Sequence, residues 1–517
     1  MKSLLLILAL AAGVPDSDFG SAILLLSGAS TLEDLDETTL QHFRDLHSRP
    51  LNLNRAGRSR LLASGLFNAF QVASLLDYRK RSGDILSFTE LGLLDGFTPE
   101  LAEALKMFVC LESSRAPGMK PSLALHHDLM LRGAARKSGE GELAAGLRYK
   151  MTVGDAGEFT WATRTTYSDP ALNLGTLSAA YYGSKYLGKI ILGHFNARFG
   201  QGMAQWSGFS ISHYSSVASF QRRGTGFSPT GSLAPELCGA AADFNFGRWS
   251  AGLGYSLTGK KALGFVSWTG SRTTLGLSAS NSSISVDCKF GFKNVATFGE
   301  AAWTKDGPAL AAGALWTPEY GRKYGLLASW NKRVPELCAG FGSRNADAVF
   351  AISSKQMRLM ARYSPAFTLG AVTLNPSLRL AARRTEQWRL EARGEMSLGY
   401  GKWKLNIRTD AVWCGSAGLL AYAELAREGK KLRFWCRTTA FMIDKWDARI
   451  YVYERDAPGN FSVPAYYGRG WSASLYAAWK PHRRHSFYLR VSYSGYPWMT
   501  ENKESKTEVK LQYALSL

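Results

Sequence analysis

Between residue 121 and Leu517 apolar and polar residues alternate with a period of two, in segments of roughly ten residues, and no helical pattern intervenes. WSASLYAAWK sets Trp471, Ala473, Leu475, Ala477 and Trp479 on one face. KWKLNIRTDAVW sets Trp403, Leu405 and Ile407 against Lys404, Asn406 and Arg408, and HSFYLRVSYS sets Phe487, Leu489, Val491 and Tyr493 against Ser486, Tyr488, Arg490 and Ser492. Successive strand side chains point to opposite faces, so each segment has an apolar and a polar side. Some 400 residues of such strands must bury the apolar sides in a sandwich or propeller core, or in lipid. Tryptophans near strand ends (Trp403, Trp413, Trp471, Trp479) suit the two interfacial girdles of a membrane barrel. The pattern predicts a mainly β chain: a large antiparallel transmembrane barrel over 121–517, with about 20–24 strands, preceded by a small all-α domain.

The rest of the chain agrees with export. MKSLLLILALAAG reads as a signal peptide over residues 1–13, although the second apolar patch, SAILLLSG, blurs the cleavage point. There are 15 Trp, 22 Tyr and 26 Phe, yet no later apolar run reaches the ~20 residues of a membrane helix. The final TEVKLQYALSL keeps Val509, Leu511, Tyr513 and Leu515 in alternation up to Leu517. It resembles the C-terminal signal of outer-membrane barrels, with Leu517 in place of the usual aromatic. Near this end long and short connections alternate: 496–506 long, 481–484 short, 456–467 long, 444–447 short. Long loops would face outside and short turns the periplasm. The six cysteines are scattered and form no CxxC, which suits isolated apolar positions.

Charge is divided unevenly. Residues 31–112 hold nine Lys and Arg against twelve Asp and Glu, whereas 113–517 carry +25 of a chain whose net charge is +21. By parity the polar face of the strands includes Arg148, Lys150, Arg358, Arg362, Arg379, Arg383, Arg389, Arg393, Lys404, Arg408, Arg433, Arg437, Arg490 and Lys510, offset in part by Glu391, Glu395 and Asp410. In a barrel this face lines the lumen and attracts anions.

Residues 31–112 read as helices. Asn54 is expected to cap a helix through RAGRSRLLAS. Asn68 caps the next, with Gln71 completing a capping box, and Arg79, Lys80 and Arg81 fall at its C-terminus, where the macrodipole favours cations. Ser87 or Thr89 opens a short helix. Thr98 with Pro99 at N1 opens a last one running to about Val109. The segments LNLNRAGRSRLLASGLF, LLDYRKRSG and SFTELGLLDGFTPELAEALKMFV, over about residues 50–108, resemble a ComEA-like helix-hairpin-helix domain. In that family each hairpin is Gly-hydrophobic-Gly, so that the backbone and the next helix's N–H groups hold a phosphate. The resemblance implies phosphate or DNA contacts at Gly65, Asn68, Arg79, Lys80, Arg81, Gly96 and Thr98. Here the first hairpin is Leu66-Phe67-Asn68 with Gly65 one place early, and the second keeps Gly96 but has Thr98 for its other glycine. With three of four glycines out of register in an acidic domain, the preferred reading is a protein-contact module.

GHFNARFGQGMAQWSG and the later RRGTGFSPTGS resemble a family of outer-membrane proteins with an N-terminal helix-hairpin-helix domain; the resemblance implies the two-part fold and no activity. The tail of this stretch, residues 205–234 with Arg222 and Arg223, is too long for a turn and forms either a surface loop or a lumen constriction. The sequence has eight His and no G-x-S-x-G, HExxH, P-loop or zinc-ligand spacing, so no catalytic, cofactor or metal residue is assigned. The expected protein is a non-enzymatic channel or assembly platform in the outer membrane of a Gram-negative bacterium. Its module would lie in the periplasm and dock on the barrel or on a periplasmic protein. Outer-membrane lipid and small anions are the other expected partners. DNA uptake through the module and a barrel-embedded hydrolase are the alternatives.

Overall fold

The computed structural model describes residues 16–113, 124–183, 186–209, 215–318, 321–499 and 503–517. The expected signal peptide lies outside them. A closed antiparallel barrel of 24 strands occupies the chain from Leu125–Ser138 to Lys506–Ser516, whose pairing with one another closes the wall. Both termini of the wall meet at one end, where His127 and Leu517 exchange backbone hydrogen bonds. Turns at that end are short. The opposite end carries the long connections 199–225, 444–467 and 496–505.

The alternation dictates which side faces out. In Trp403–Trp413 the odd positions Trp403, Ile407 and Trp413 are exposed, while Arg408 and Asp410 are buried on the inside. Across the wall Leu405 pairs with Leu398 and Leu425, and Ile407 with Met396 and Ala423, giving a continuous apolar outer band. Trp316, Tyr400, Trp403 and Trp479 ring it at the short-turn end, and Trp303, Trp330, Trp388, Trp413 and Trp471 at the long-loop end. This is the fold of a membrane-spanning barrel. None of the helices among the described residues is long and apolar enough to cross a membrane. All six cysteines are free thiols.

The loop order differs from expectation at one place. Residues 444–447 are not a turn; a 3-10 turn at Trp446–Ala448 begins the single long connection 444–467, whose short hairpin pairs Ile450–Tyr451 with Ala465–Tyr466. Long and short connections still alternate, with 429–431 as the next short one.

Six helices precede the barrel among the described residues: α1 (Asp16–Ser27), α2 (Glu37–Ser48), α3 (Arg58–Ala63), α4 (Ala69–Ser82), α5 (Phe88–Leu91) and α6 (Pro99–Leu105). The module starts earlier than residue 31. The SAILLLSG patch is the body of α1, and its Ala22, Ile23 and Leu26 join the same core as Leu40, Phe43, Leu61, Leu75 and Phe108. The capping box of α4 is present: the Asn68 side chain accepts from the Gln71 N–H and the Gln71 side chain from the Asn68 N–H. Ser87 caps α5, and Thr98 caps α6 with Pro99 at its start. Asn54 caps nothing. Gly57 precedes α3, and the buried Asn54 amide instead exchanges two hydrogen bonds with the backbone of Ile85. The last helix stops at Leu105, because Val109–Cys110 leaves it to pair in parallel with Leu51–Asn52.

Candidate functional site

The helical module sits within the barrel, on the charged inner wall. Three of its carboxylates each take basic partners from the wall. Asp45 of α2 accepts from Arg148 at 3.2 and 3.0 Å and from Lys150 at 2.9 Å. Glu37 accepts from Arg164 at 3.0 Å and faces Arg132 at 3.8 Å. Glu33 accepts from Arg408 at 2.6 Å and faces Arg393 at 3.5 Å. Contacts also run the other way: Arg49 pairs with Asp128 at 3.0 Å and Arg60 with Glu158 at 3.4 Å. Neutral groups join in, as Arg362 donates to the Ser30 carbonyl at 2.8 Å and Arg58 to the Ser250 hydroxyl at 3.1 Å. The wall strands involved lie in well-separated sectors of the barrel. Burial pushes the Glu33 carboxyl up, but Arg393 and Arg408 outweigh it and hold it well below the usual carboxylate range. Arg148 and Lys150 do the same for Asp45 against its own burial.

The character of this interface is ionic. Among the described residues the module's apolar core is joined from outside by Tyr453 and Phe461 of the connection 444–467, and Ala63 of α3 adds an apolar contact with the cluster around Phe195 and Phe227. Charge pairs set register and orientation, and apolar burial keeps the module folded by itself.

Two long connections fold in from the other end to meet it. In 199–225, the backbone N–H groups of Gln201, Met203 and Ala204 converge on the buried Glu300 carboxylate, at 2.5, 3.1 and 3.2 Å. Phe220 packs among Leu327, Cys338 and Val349 of the wall. A Cβ on Gly325 would stand 2.8 Å from the Phe220 ring, so the bare backbone there admits the loop. Arg223 is half-buried and donates to the carbonyls of Leu26 and Leu66 at 2.7 and 3.2 Å. With no carboxylate beside it among the described residues, burial pushes its guanidinium down to about 10. Arg222 stacks over Trp206 at 5.3 Å. Residues 210–214 of this stretch lie outside the described residues. In 444–467, Glu454 pairs with Arg490, and Asp456 pairs with Lys510 at 2.9 Å. The carbonyls of Tyr451 and Tyr453 accept from Arg408 and Arg437 at 3.3 and 2.9 Å. The Tyr453 N–H donates to Glu33 at 3.3 Å, which ties loop, wall and module together.

The remaining basic residues read from the sequence also face inward. Lys404 pairs with Glu428 at 3.1 Å and Arg437 with Glu424 at 2.6 Å. Arg362 pairs with Asp347, and Arg389 with Glu391 at 2.5 Å. Arg379 reaches Glu391 only at 3.9 Å. Arg358, Arg383 and Arg433 form no ion pair among the described residues. Most of the basic face is thus matched, by acids of the wall, the module and the loops.

The hairpin residues are occupied by the protein itself. The carbonyl of Leu66 takes Arg223, and Gly65 lies 3.9 Å from the Thr225 side chain as measured from a Cβ built on it. Gly96 has φ +83°, and its carbonyl accepts from Gln71 at 2.7 Å. A Cβ there would come 2.7 Å from the Phe70 ring, so packing alone requires this glycine. Asn68 and Thr98 cap their own helices. Arg79 donates to the Ala56 carbonyl at 2.7 Å and Arg81 pairs with Asp77 at 2.7 Å. Arg79, Lys80 and Arg81 do line one open groove of about 1210 Å³, with Arg55, Arg58 and Arg248, at the short-turn mouth. A second cavity of about 660 Å³ lies between α2, α3 and the wall, and includes Asp45, Lys150 and His42, whose imidazole burial pushes down.

Sequence reasoning missed Glu33, Glu37 and Asp45 as docking groups. The signal was present in outline, as an acidic module ahead of a basic barrel. No pattern distinguishes these three acids from the other nine within residues 31–112.

No family model matches the chain, and no curated protein matches its sequence. Solved structures match part of the chain. The outer membrane protein OpdK from Pseudomonas aeruginosa is 10% identical with a TM-score of 0.32, over 76% of this chain and 99% of that one. OccK5 (OpdH) of the same organism is 8% identical with a TM-score of 0.33, over 76% and 97%. OccK2 (OpdF), solved in complex with glucuronate, is 10% identical with a TM-score of 0.32, over 76% and 98%. Likenesses of this size assign no family and no activity.

Proposed function

We propose that the chain is a non-enzymatic, anion-selective channel of the outer membrane, held closed by its own helical module docked from the periplasmic side. The observation that carries this reading is the seating of Glu33, Glu37 and Asp45 on wall arginines and Lys150 inside the lumen, beneath two connections folded in from the opposite mouth. Because the module has its own core and an ionic interface, it can leave the lumen without the wall opening. Its departure would uncover arginines and lysines, which favour anions. The test is conductance of the full chain in planar bilayers. We expect a closed barrel at neutral pH. Urea too dilute to unfold the wall should open it reversibly, with anions preferred. A steadily open native barrel, or a cation preference once opened, overturns the reading.

A second reading, in which the module receives DNA, has the basic groove at the short-turn mouth in its favour. It predicts a salt-sensitive gel shift by the full chain that Lys80→Glu abolishes. No shift at low salt removes it.

A further inference from the structure

Three adjacent wall strands, Met357–Tyr363, Val372–Arg384 and Trp388–Tyr400, carry inward arginines in register. Arg362, Arg379 and Arg393 form one cross-strand row, and Arg358, Arg383 and Arg389 form a second, nearer the long-loop mouth. Like charges directly opposite one another on a sheet repel and destabilise it. The first row is compensated: Arg362 has Asp347, and Arg393 has Asp410 at 2.8 Å and Glu33 at 3.5 Å. The second is compensated at one end only. Arg389 is held by Glu391, by the Arg449 carbonyl at 2.9 Å and by the Asp447 carbonyl. The side chains of Arg358 and Arg383, opposite each other, have no ion pair or hydrogen bond among the described residues. Arg358 also stands within electrostatic reach of Arg379, and Asp34, Glu391 and Glu336 are the acids that face it. Asp34 is already engaged by the N–H and hydroxyl of Thr31. Independently, the buried Nε of Arg379 has no hydrogen-bond partner among the described residues, and Arg379 lines a cavity of about 410 Å³ with Arg389, Arg393 and the acids Glu33, Asp34, Glu391 and Asp410.

We infer that Arg358 and Arg383, with Arg379 beneath them, form a binding site for a doubly charged oxyanion, phosphate or a phosphate monoester, at the long-loop mouth of the lumen. A tetrahedral dianion offers several acceptor oxygens to guanidinium forks and cancels the repulsion across the pair, which a monovalent ion does only in part. The site faces the lumen, so its ligand arrives dissolved. The inference deepens the anion-selective reading, yet it concerns equilibrium binding, and a barrel that fails to conduct can still bind.

The experiment is titration calorimetry of the full chain in detergent at low ionic strength, with inorganic phosphate as probe and acetate as the monovalent control. Saturable phosphate binding is expected, at least tenfold weaker in Arg358→Gln/Arg383→Gln and unchanged in Arg484→Gln, which lies at the short-turn end. A melting curve separates loss of the site from loss of the fold. Without phosphate the double variant should melt no lower than the parent, since opposed charges are gone, and phosphate should raise the melting temperature of the parent alone. Phosphate heats no different from those of acetate, or a double variant that binds phosphate like the parent, overturn the assignment.

Discussion

Asp45→Asn is the perturbation that best isolates the docking contact. Among the described residues Asp45 is the only carboxylate within ion-pair distance of Arg148, which holds it through two hydrogen bonds, and it is the nearer of two partners of Lys150, the other being Glu158 at 3.6 Å. The Asp45 and Arg148 side chains are 16% and 18% exposed, so the pair is largely but not wholly desolvated. Breaking a buried pair by removing one partner costs about 3–5 kcal/mol, and residual exposure places this one near 3. The apolar core of the module contains no part of the pair, so the loss falls on docking and not on folding. At about 1.4 kcal/mol per decade, the undocked population should rise by about a hundredfold. Open probability in planar bilayers reads that population directly. Asp45→Asn should raise it by about two decades, and Asp45→Arg combined with Arg148→Asp should recover most of the closed state. An open probability within a few-fold of the parent in Asp45→Asn, or no recovery on exchange, would refute the reasoning.

Other consequences follow from the same contacts. Glu33 and Asp45 are held below their ordinary values of 4.5 and 3.8 when docked, so the docked state binds fewer protons than the free module. Their contribution is therefore complete above about pH 5 and fades as the pH falls through those ordinary values toward the depressed ones; open probability measured from pH 7 to 3 should climb only below about pH 4.5. Arg223→Ala removes the hydrogen bonds to Leu26 and Leu66, worth about 1.5–3 kcal/mol together, and hydrogen exchange should speed in α1 and in the 64–68 hairpin. Gly96→Ala puts a methyl against the Phe70 ring at a positive φ and should destabilise the module by about 1–3 kcal/mol, seen as faster exchange of α4 and α6. Asn54→Ala, which orphans both backbone groups of Ile85, should cost more than Asn68→Ala, at about 1 kcal/mol for a lost cap.

What the sequence revealed was what neighbouring residues decide. Alternation is local, so the outward Trp403, Ile407 and Trp413 and the inward Arg408 and Asp410 were legible, as was the Asn68–Gln71 capping box, whose ends are three residues apart. Asn54 was misread because its partner, Ile85, lies 31 residues on and is reached only when the hairpins fold together. Residues 444–447 looked like a turn by composition, and the hairpin that makes them the start of a long inward loop forms only through Ile450 and Tyr466. The pairing of Glu33 with Arg408 spans 375 residues. Charge balance announced that module and barrel attract, while the inside of the lumen as the meeting place depends on barrel closure, which no local pattern encodes. For the same reason Arg358 and Arg383 read as two more inward bases until register set them face to face.

The placement of the module inside the barrel is tested most directly by zero-length carbodiimide coupling of the membrane-embedded full chain, read by peptide mass spectrometry. Asp45 and the Lys150 amine are 2.9 Å apart and share a cavity of about 660 Å³ that admits a small reagent. An intramolecular amide joining the Asp45 peptide to the Lys150 peptide is the predicted product, formed at neutral pH and lost in the urea that opens the channel. Activated Asp45 captured only by added small amines, with Lys150 freely acylated and no joined peptide, would place the module outside the lumen and contradict the account.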